Sequence, residues 1–285
     1  MLKQRVITAL VLTLIFLASL FWLPIPLFAV FSAVIVLLAA WEWSNMAGFI
    51  RLRGRFAYVF AIAVLLALVA IYLNIITFTR DPFEPLIMAV SAERYRGLLV
   101  LGVGWWALAL LWVQGYPSSA LLWSHRPVRA LMGALVLIPT WIALTYVRAQ
   151  PEGAWLVLMI VTVVAMADIG GYFVGRRYGR HKLAVNVSPG KTWQGFAGGV
   201  AANLCLALVL WLGTSFSLTV VLLLVIPTSL VSVLGDLLES MVKRERGIKD
   251  SGGLLPGHGG VLDRVDGLTA AAPVFALVLL TVVGQ

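Results

Sequence analysis

The sequence predicts an all-α, polytopic integral membrane protein with about nine transmembrane helices. Of its 285 residues, 61% are hydrophobic and only 12% are charged, whereas a typical soluble domain is about 25% charged. Long apolar runs recur along the chain, and a helix needs roughly 20 mostly apolar residues to cross the hydrocarbon core of a bilayer. The basic residues fall mainly in alternate connections between these runs, as expected for cytoplasmic loops.

Nine apolar runs stand between the polar breaks of the chain, and each predicts one span to within a few residues. They cover roughly residues 6–23, 27–43, 56–79, 97–114, 128–147, 154–175, 195–213, 217–238 and 266–283. The short connection at Pro24 and Pro26 predicts a hairpin of the first two helices. It stands where a signal peptide would have a small-residue cleavage site, so we expect the first helix to be retained.

The distribution of basic residues predicts the orientation. When connections are assigned alternately to two sides, one side receives all 21 Lys and Arg residues except Arg80, Arg94, Arg96 and Arg148. Because cytoplasmic loops are enriched in Lys and Arg, we expect the N-terminus in the cytoplasm and the C-terminus, after nine spans, outside. This topology accounts for the net charge of +9 without a nucleic-acid partner.

Side chains suited to chemistry are concentrated in the second half of the chain. We therefore divide it into an N-terminal region of five spans, residues 1–150, and a C-terminal catalytic region of four spans with cytoplasmic loops, residues 151–285. In the first region Glu42 lies between two tryptophans near the end of a span, where an interfacial anchor is the expected role and a functional role the alternative. Cys205 is the single cysteine, which excludes an internal disulfide and a cysteine-based zinc site.

Asp168 falls inside the sixth predicted span. A carboxylate within a span is costly in lipid, which favours a polar or catalytic role inside the protein. Gly171 and Gly175 follow it with the G-x-x-x-G spacing of closely packed helices. Packing explains the glycines but not the aspartate, so Asp168 is a candidate site residue.

A second polar segment stands directly before the seventh span. Its G-K-T triplet, ending at Thr192, resembles part of a nucleotide P-loop, but the first glycine of that motif is missing and no strand is expected before it. Free backbone N–H groups and the helix dipole at a helix start still attract phosphate. We therefore predict phosphate binding by Ser188, Lys191 and Thr192, and a capped helix with a cytoplasmic lysine is the alternative.

The densest polar segment joins the last two predicted spans. If the eighth helix continues through Lys243, Asp236 and Ser240 are four residues apart and share one face. Asp263 and Asp266 are three residues apart and can project together from the start of the ninth helix. Mg²⁺ prefers oxygen ligands and is often completed by substrate phosphates, so the segment predicts a metal site at the three aspartates.

Basic residues and glycines lie between these two helix ends. The basic residues can neutralise several phosphate charges, and glycines let backbone N–H groups approach a phosphate closely. A plain juxtamembrane loop explains the positive charge but not the mixture of glycines and aspartates. The predicted phosphate-binding set comprises Lys243, Arg244, Lys249, His258, Gly259, Gly260 and Arg264, with a phosphate contact or a structural hydrogen bond expected for the histidine.

From Ser240 to Asp266 the sequence reads S-x-V-K-R-x4-K-D-x-G-x2-L-P-x-H-G-G-V-x-D-R-V-D. This run resembles the signature of the phosphatidate cytidylyltransferase (CDP-diacylglycerol synthase) family, bacterial type. The D-x-x-G-Y-x-x-G run at Asp168 and the S-P-x-K-T run at Ser188 are similar to shorter motifs of the same family. Many members have Glu where this chain has Gln194, so we do not expect a metal ligand there.

The resemblance implies transfer of CMP from CTP to phosphatidate, giving CDP-diacylglycerol and pyrophosphate. It also implies Mg²⁺ as the cofactor, and a second cation is left open. It also implies a bacterial inner membrane protein that forms a homodimer. We expect the lipid phosphate to attack the α-phosphorus of CTP in line, on a site facing the cytoplasm. Asp236 and Asp263 are the first expected metal ligands, with Asp266 and Ser240 next and Asp168 in a supporting role.

Two other functions fit the composition. A CTP-dependent lipid kinase would share the membrane fold and the polyphosphate site but would transfer the γ-phosphate. A transporter would explain Asp168, but transporters need polar groups near the bilayer midplane. Most charged groups of this chain cluster at one predicted surface instead, which disfavours transport.

Overall fold

The computed structural model describes residues 2–75, 92–255, 257 and 259–282, with side chains from residue 6 onward. Ten helices and one two-stranded sheet follow one another in this part of the chain. In order they are α1 (Leu2–Trp22), α2 (Ile25–Ala47), α3 (Leu52–Tyr72), α4 (Ala92–Gln114), α5 (Ala120–Trp123), α6 (Arg126–Arg148), α7 (Gly153–Tyr178), β1 (Lys182–Ala184), β2 (Ser188–Thr192), α8 (Trp193–Gly213), α9 (Leu218–Arg246) and α10 (Leu262–Val282).

A long helix corresponds to each of the nine predicted spans, with ends that differ by a few residues; α3, for example, ends at Tyr72, whereas its span was predicted to reach residue 79. Eight of them are long and apolar enough to cross a membrane, and α1 contains the shorter apolar run Val6–Trp22. The expected all-α membrane fold is therefore confirmed. Residues 76–79, at the end of the third predicted span, lie outside the described residues. The short helix α5 was not predicted, because four residues carry no readable periodicity.

Helices α6 and α10 are the most enclosed of the membrane-crossing helices. Helix α10 packs against α9, α6 and α4, so it joins the two predicted regions of the chain. Indole N–H groups tie α2 to its neighbour: Trp43 Nε1 donates to the carbonyl oxygen of Arg129, at 2.8 Å. Buried polar groups need such partners in an apolar interior. This hydrogen bond fixes the C-terminal end of α2 relative to α6.

Two helix crossings near the charged segments depend on glycine. At the α7–α8 crossing, a Cβ on Gly175 would lie 3.3 Å from the Cα of Gly195. The close packing that the G-x-x-x-G spacing predicts is thus confirmed. At the α9–α10 crossing, a Cβ on Gly235 would collide with the carbonyl oxygen of Asp266. These crossings bring the polar ends of α7 to α10 together.

The segment between α7 and α8 forms an antiparallel hairpin of β1 and β2, with Lys182 opposite Thr192. The expectation that no strand precedes the G-K-T triplet was wrong, because β1 comes before it and the triplet lies within β2. Three-residue strands carry too little alternation to be recognised in sequence. The Thr192 hydroxyl accepts a hydrogen bond from Gly195 N at 3.1 Å, so this threonine caps α8.

Candidate active site

A cavity of about 460 Å³ lies where the hairpin meets α7, α8 and α9. Its polar lining includes Asp168, Arg176, Ser188, Lys191 and Thr192. Apolar residues of α8 and α9 line the rest of it, among them Phe196, Val200 and Val233. A concave site with few converging polar groups and an apolar wall is the usual form of a ligand pocket. Ser188, Lys191 and Thr192, which were predicted to bind phosphate and which lie on β2, are therefore together at one cavity.

Lys191 connects this cavity to the end of α9. Its Nζ lies 2.6 Å from Asp236 Oδ2, and both side chains are partly exposed. Ser240 Oγ donates to Asp236 Oδ1 at 3.1 Å, which confirms that the two residues share one helix face. The ion pair between β2 and α9 was not predicted, because residues 45 positions apart carry no local signal of their contact.

Three carboxylates face the region around Lys191. Asp168 interacts electrostatically with Lys191 and Asp236, and Asp266 interacts with Asp236 and Asp168. Asp266 also accepts a hydrogen bond from Gly267 N at 2.7 Å. Neighbouring carboxylates disfavour each other's charged form, and a nearby cation such as Lys191 offsets this repulsion. Asp168, which the sequence left as the weaker candidate, is thus part of the charged cluster.

Lys243 bridges two further carboxylates. Its Nζ lies 2.8 Å from Asp263 Oδ1 and 3.1 Å from Glu239 Oε1, one turn earlier on α9. Glu239 is buried, and its Oε2 has no hydrogen-bond partner among the described residues. Glu239 was not selected as a site residue from the sequence, and its role became apparent only through its pairing with Lys243.

Asp263 organises the loop between α9 and α10. Its carboxylate accepts hydrogen bonds from Ser251 N at 3.1 Å and from Gly260 N at 2.8 Å. Together with Lys243, these donors engage both of its oxygens. The role of Asp263 as a metal ligand stays a prediction, and the described contacts assign it a further one, which is to hold the loop against α9.

Glu42, expected as an interfacial anchor, reaches the same loop from the N-terminal half. It is 1% exposed and accepts hydrogen bonds from Val261 N at 3.1 Å and Leu262 N at 2.8 Å. Ser251 Oγ donates to it as well, at 3.2 Å. The only sequence signal was a carboxylate within an apolar run, and its nearness to the end of the span made that signal weak.

The other predicted phosphate-binding residues surround these contacts. Arg244 Nε donates to the carbonyl oxygen of Val187 in the hairpin, at 3.2 Å, while Lys249 and Arg264 are exposed. Gly259 has a φ of +80°, which favours glycine, and its N-terminal neighbour in the motif, His258, lies outside the described residues. The basic side chains thus lie at the polar end of the bundle.

Gln194 forms hydrogen bonds with the residues that lead into the hairpin. Its Oε1 accepts hydrogen bonds from Arg180 N at 3.0 Å and His181 N at 3.1 Å. Its Nε2 lies 2.8 Å from His181 Nδ1. All of these partners belong to the hairpin entry, so the residue orients the segment that carries Lys191.

The carboxylates do not form a complete metal cage. Within the described parts of the chain, no three or more Asp, Glu, His or Cys side chains are grouped so as to hold a metal ion. Mg²⁺ does not require such a cage, since it keeps several waters and commonly binds one or two carboxylates together with substrate phosphates. The neighbouring carboxylates of Asp236 and Asp266 fit that mode of binding.

The fold and the site define a multi-pass membrane protein with paired lysines and carboxylates at one end of its helix bundle. The chain belongs to the cytidylyltransferase family, whose model matches residues 3–282. It is 45% identical over 282 residues to a phosphatidate cytidylyltransferase of Pseudomonas aeruginosa, covering 98% of this chain and 97% of that protein. A Haemophilus influenzae protein of the same name is 39% identical, with 97% and 98% covered. One from Brucella suis is 37% identical, with 97% and 92% covered.

Proposed function

We propose that this protein transfers CMP from CTP to phosphatidate, forming CDP-diacylglycerol and pyrophosphate. The family and the relatives over nearly the full chain support this reaction class. The structural observation that carries it is the Lys191–Asp236 ion pair. Lys191 and Asp168 line a cavity with an apolar wall, and Asp236 interacts electrostatically with Asp168 and Asp266. A lipid that carries a phosphate needs an apolar surface for its acyl chains and a charged surface for its headgroup.

In the proposed reaction an oxygen of the lipid phosphate attacks the α-phosphorus of CTP. A new P–O bond forms as the bond between the α-phosphorus and the oxygen bridging to the β-phosphorus breaks, and pyrophosphate leaves with the electron pair. The lipid phosphate is already ionised near neutral pH, so no strong general base is needed. Catalysis then depends on positioning and charge neutralisation, as in other phosphoryl transfers.

The residues have distinct proposed roles. Lys191, with Ser188 beside it, binds a substrate phosphate at the cavity, and Lys243 holds the Asp263 loop near the reacting groups. The exposed cations bind further phosphate charge, with His258 as a predicted contact. Thr192 acts mainly by capping α8. The exposed cations are Arg244, Lys249 and Arg264, and the backbone N–H group of Gly259 completes the set. The N–H group of Gly260, also predicted to bind phosphate, donates to Asp263 instead.

We propose Mg²⁺ as the cofactor, with Asp236 and Asp266 as its protein ligands and Asp168 close by. When bound with CTP it would neutralise phosphate charge. Asp263, also predicted as a ligand, has its oxygens engaged by Lys243, Ser251 and Gly260. We therefore propose that it fixes the loop in addition to its predicted place at the metal site. A second cation stays open.

We also propose a bacterial inner membrane location, with the site facing the cytoplasm, and a homodimer. Orientation is supported by the basic loops, since ten of the 21 Lys and Arg residues lie between residues 176 and 191 or between residues 243 and 264. The orientation is tested with the Lys182→Cys substitution at this exposed position, made in a Cys205→Ser background. Labelling by an impermeant thiol reagent in inverted but not in right-side-out vesicles is expected.

The reaction is tested by incubating the purified protein with phosphatidate and CTP labelled at either the α- or the γ-phosphate. We expect lipid to acquire label from α-labelled CTP only, with release of pyrophosphate. Label from the γ-position, with CDP as the second product, would instead indicate a lipid kinase. Failure of both labels to reach lipid would reject the proposal. The Asp236→Asn variant serves as the control for contaminating enzymes.

A further inference from the structure

The carboxylate of Glu42 reaches the start of a helix that lies 220 residues away in the chain. Its Oε1 accepts from Val261 N, while its Oε2 accepts from Leu262 N and from Ser251 Oγ. Backbone N–H groups at a helix start have no partner within the helix and need an acceptor. Glu42 of α2 therefore caps the N-terminus of α10, a role that usually belongs to a residue directly before the helix.

Asp263 and Glu42 share the donors of the loop without duplication. Asp263 accepts from the backbone N–H groups of Ser251 and Gly260, whereas Glu42 accepts from those of Val261 and Leu262. The hydroxyl of Ser251 is directed to Glu42 and its N–H to Asp263, so this residue, which is 1% exposed, joins the two carboxylates. The loop is thus held on one side by α10 itself and on the other by α2.

Two glycines of the loop are explained by their contact with Glu42. A Cβ on Gly252 would collide with Oε1 of Glu42, and one on Gly260 would lie 2.6 Å from its Oε2 as well as colliding with Ser251 Oγ. Neither position has a backbone conformation that demands glycine. These glycines make room for the carboxylate, which is a different requirement from approach to a phosphate.

A merely apolar anchor would not need this arrangement. Burying a carboxylate is unfavourable unless it is hydrogen-bonded and compensated. Here three donors engage it, and Arg55 of α3 interacts with it electrostatically while donating to the carbonyl oxygen of Trp41 at 2.8 Å. Such a network fixes position more strictly than hydrophobic packing does, because hydrogen bonds have defined directions.

We propose that Glu42 is a positioning residue of the active site: it fixes the 251–262 loop and thereby the Asp263–Lys243 pair at the end of α9. Its effect passes through Ser251 and the first turn of α10, and Glu42 itself does not touch substrate. The inference about catalysis rests on the proposed cytidylyl transfer. The inference about the loop does not, since it concerns the protein alone.

The test compares Glu42→Gln, Glu42→Asp and Ser44→Ala with the wild type, as full-length proteins in lipid nanodiscs. Glutamine keeps the size of the side chain but presents N–H₂ where one of two acceptors is needed. Aspartate keeps the charge and both oxygens on a shorter stem. Ser44 is the matched control, since it is buried two residues away on α2 and its hydroxyl bonds within α2 and to Arg55.

Two measurements are made on each variant: amide hydrogen exchange and steady-state cytidylyl transfer. In Glu42→Gln we expect exchange at Val261 and Leu262 about tenfold faster, as for the loss of a hydrogen bond of ordinary strength. Exchange in α6 should be unchanged. The same variant should lose about 100-fold in kcat, because small displacements of a catalytic group have effects of that size. Glu42→Asp should recover part of both losses.

Three results would overturn the proposal. The first is unchanged exchange of the 251–262 loop in Glu42→Gln. The second is the same loop exchange in Ser44→Ala, which would indicate a general loosening of α2. The third is faster loop exchange with undiminished kcat, which would separate the loop from catalysis. If the wild type transfers no CMP, the proposed function fails, and the exchange comparison still decides whether Glu42 holds the loop.

Discussion

Lys191 Nζ lies 2.6 Å from Asp236 Oδ2, so the hairpin before α8 is joined to the C-terminal half of α9. Both side chains are partly exposed, and exposed ion pairs contribute only about 0–1 kcal/mol to stability. The pair is therefore better explained by the site than by folding. It also places the lysine proposed to bind phosphate and a proposed metal ligand in direct contact.

Asp236→Asn is expected to lower cytidylyl transfer by about 100-fold or more, the effect of losing a preorganised charged group. The melting temperature in detergent should change little, because the ion pair is partly solvated. Activity assays and thermal unfolding check the two parts. Glu245→Gln, which changes an exposed carboxylate of the same helix at an unspecified position of the signature, is the control. Normal turnover in Asp236→Asn would remove this residue from the metal site.

Lys191→Ala is expected to raise the KM for a phosphate-bearing substrate and to lower kcat, because it removes the cation that faces the cavity. Lys182→Ala removes an exposed lysine from the partner strand of the same hairpin and should leave both constants near their wild-type values. Steady-state kinetics with CTP and phosphatidate varied in turn make the comparison. Equal effects of the two substitutions would mean that only the net charge of the hairpin matters.

Asp263→Asn should keep insertion into the membrane but lose nearly all cytidylyl transfer. Asparagine cannot accept from Lys243, Ser251 N and Gly260 N with two oxygens, so the loop loses part of its anchorage. Yield in the membrane fraction and turnover are the measurements. Near-normal turnover would show that cytidylyl transfer does not depend on this carboxylate and would remove Asp263 from the metal site.

Gly235→Ala should destabilise the protein by about 1–3 kcal/mol, the usual range for overpacking. The new methyl group would collide with the carbonyl oxygen of Asp266, at the crossing that brings α9 and α10 together. Gly104→Ala is the matched control, since a Cβ there meets nothing within 4 Å. Thermal unfolding of both variants tests this, and equal melting temperatures would contradict the close crossing.

Removal of divalent cations by a chelator should abolish cytidylyl transfer, and added Mg²⁺ should restore it. The proposed ligands are few, so CTP is expected to strengthen Mg²⁺ binding by supplying phosphate oxygens. Titration calorimetry with and without a non-reactive CTP analogue measures this dependence. Full activity in the presence of excess chelator would reject the metal-assisted reaction.

Part of the site was predictable because its residues are close in sequence. The pairing of Asp236 with Ser240 follows from helix periodicity, and the Gly171–Gly175 spacing predicted close packing. Thr192 was ambiguous, since a hydroxyl at a helix start can either cap the helix or bind an anion, and here it caps α8. Glu239 was not selected, although Lys243 follows it at the same four-residue spacing. Glu42 was interpreted as an anchor, because its partners lie in the distant segment before α10.

The sequence by itself determined the membrane-spanning helices and the family, since lipid requires long apolar segments and the signature residues are contiguous. Only the tertiary structure decided which charges meet: Lys191 with Asp236, Lys243 with Asp263, and Glu42 with the start of α10. The physical reason is that these contacts depend on how helices cross. Those crossings depend on small residues such as Gly235 and Gly195. The sequence around these glycines does not indicate which helix they pack against.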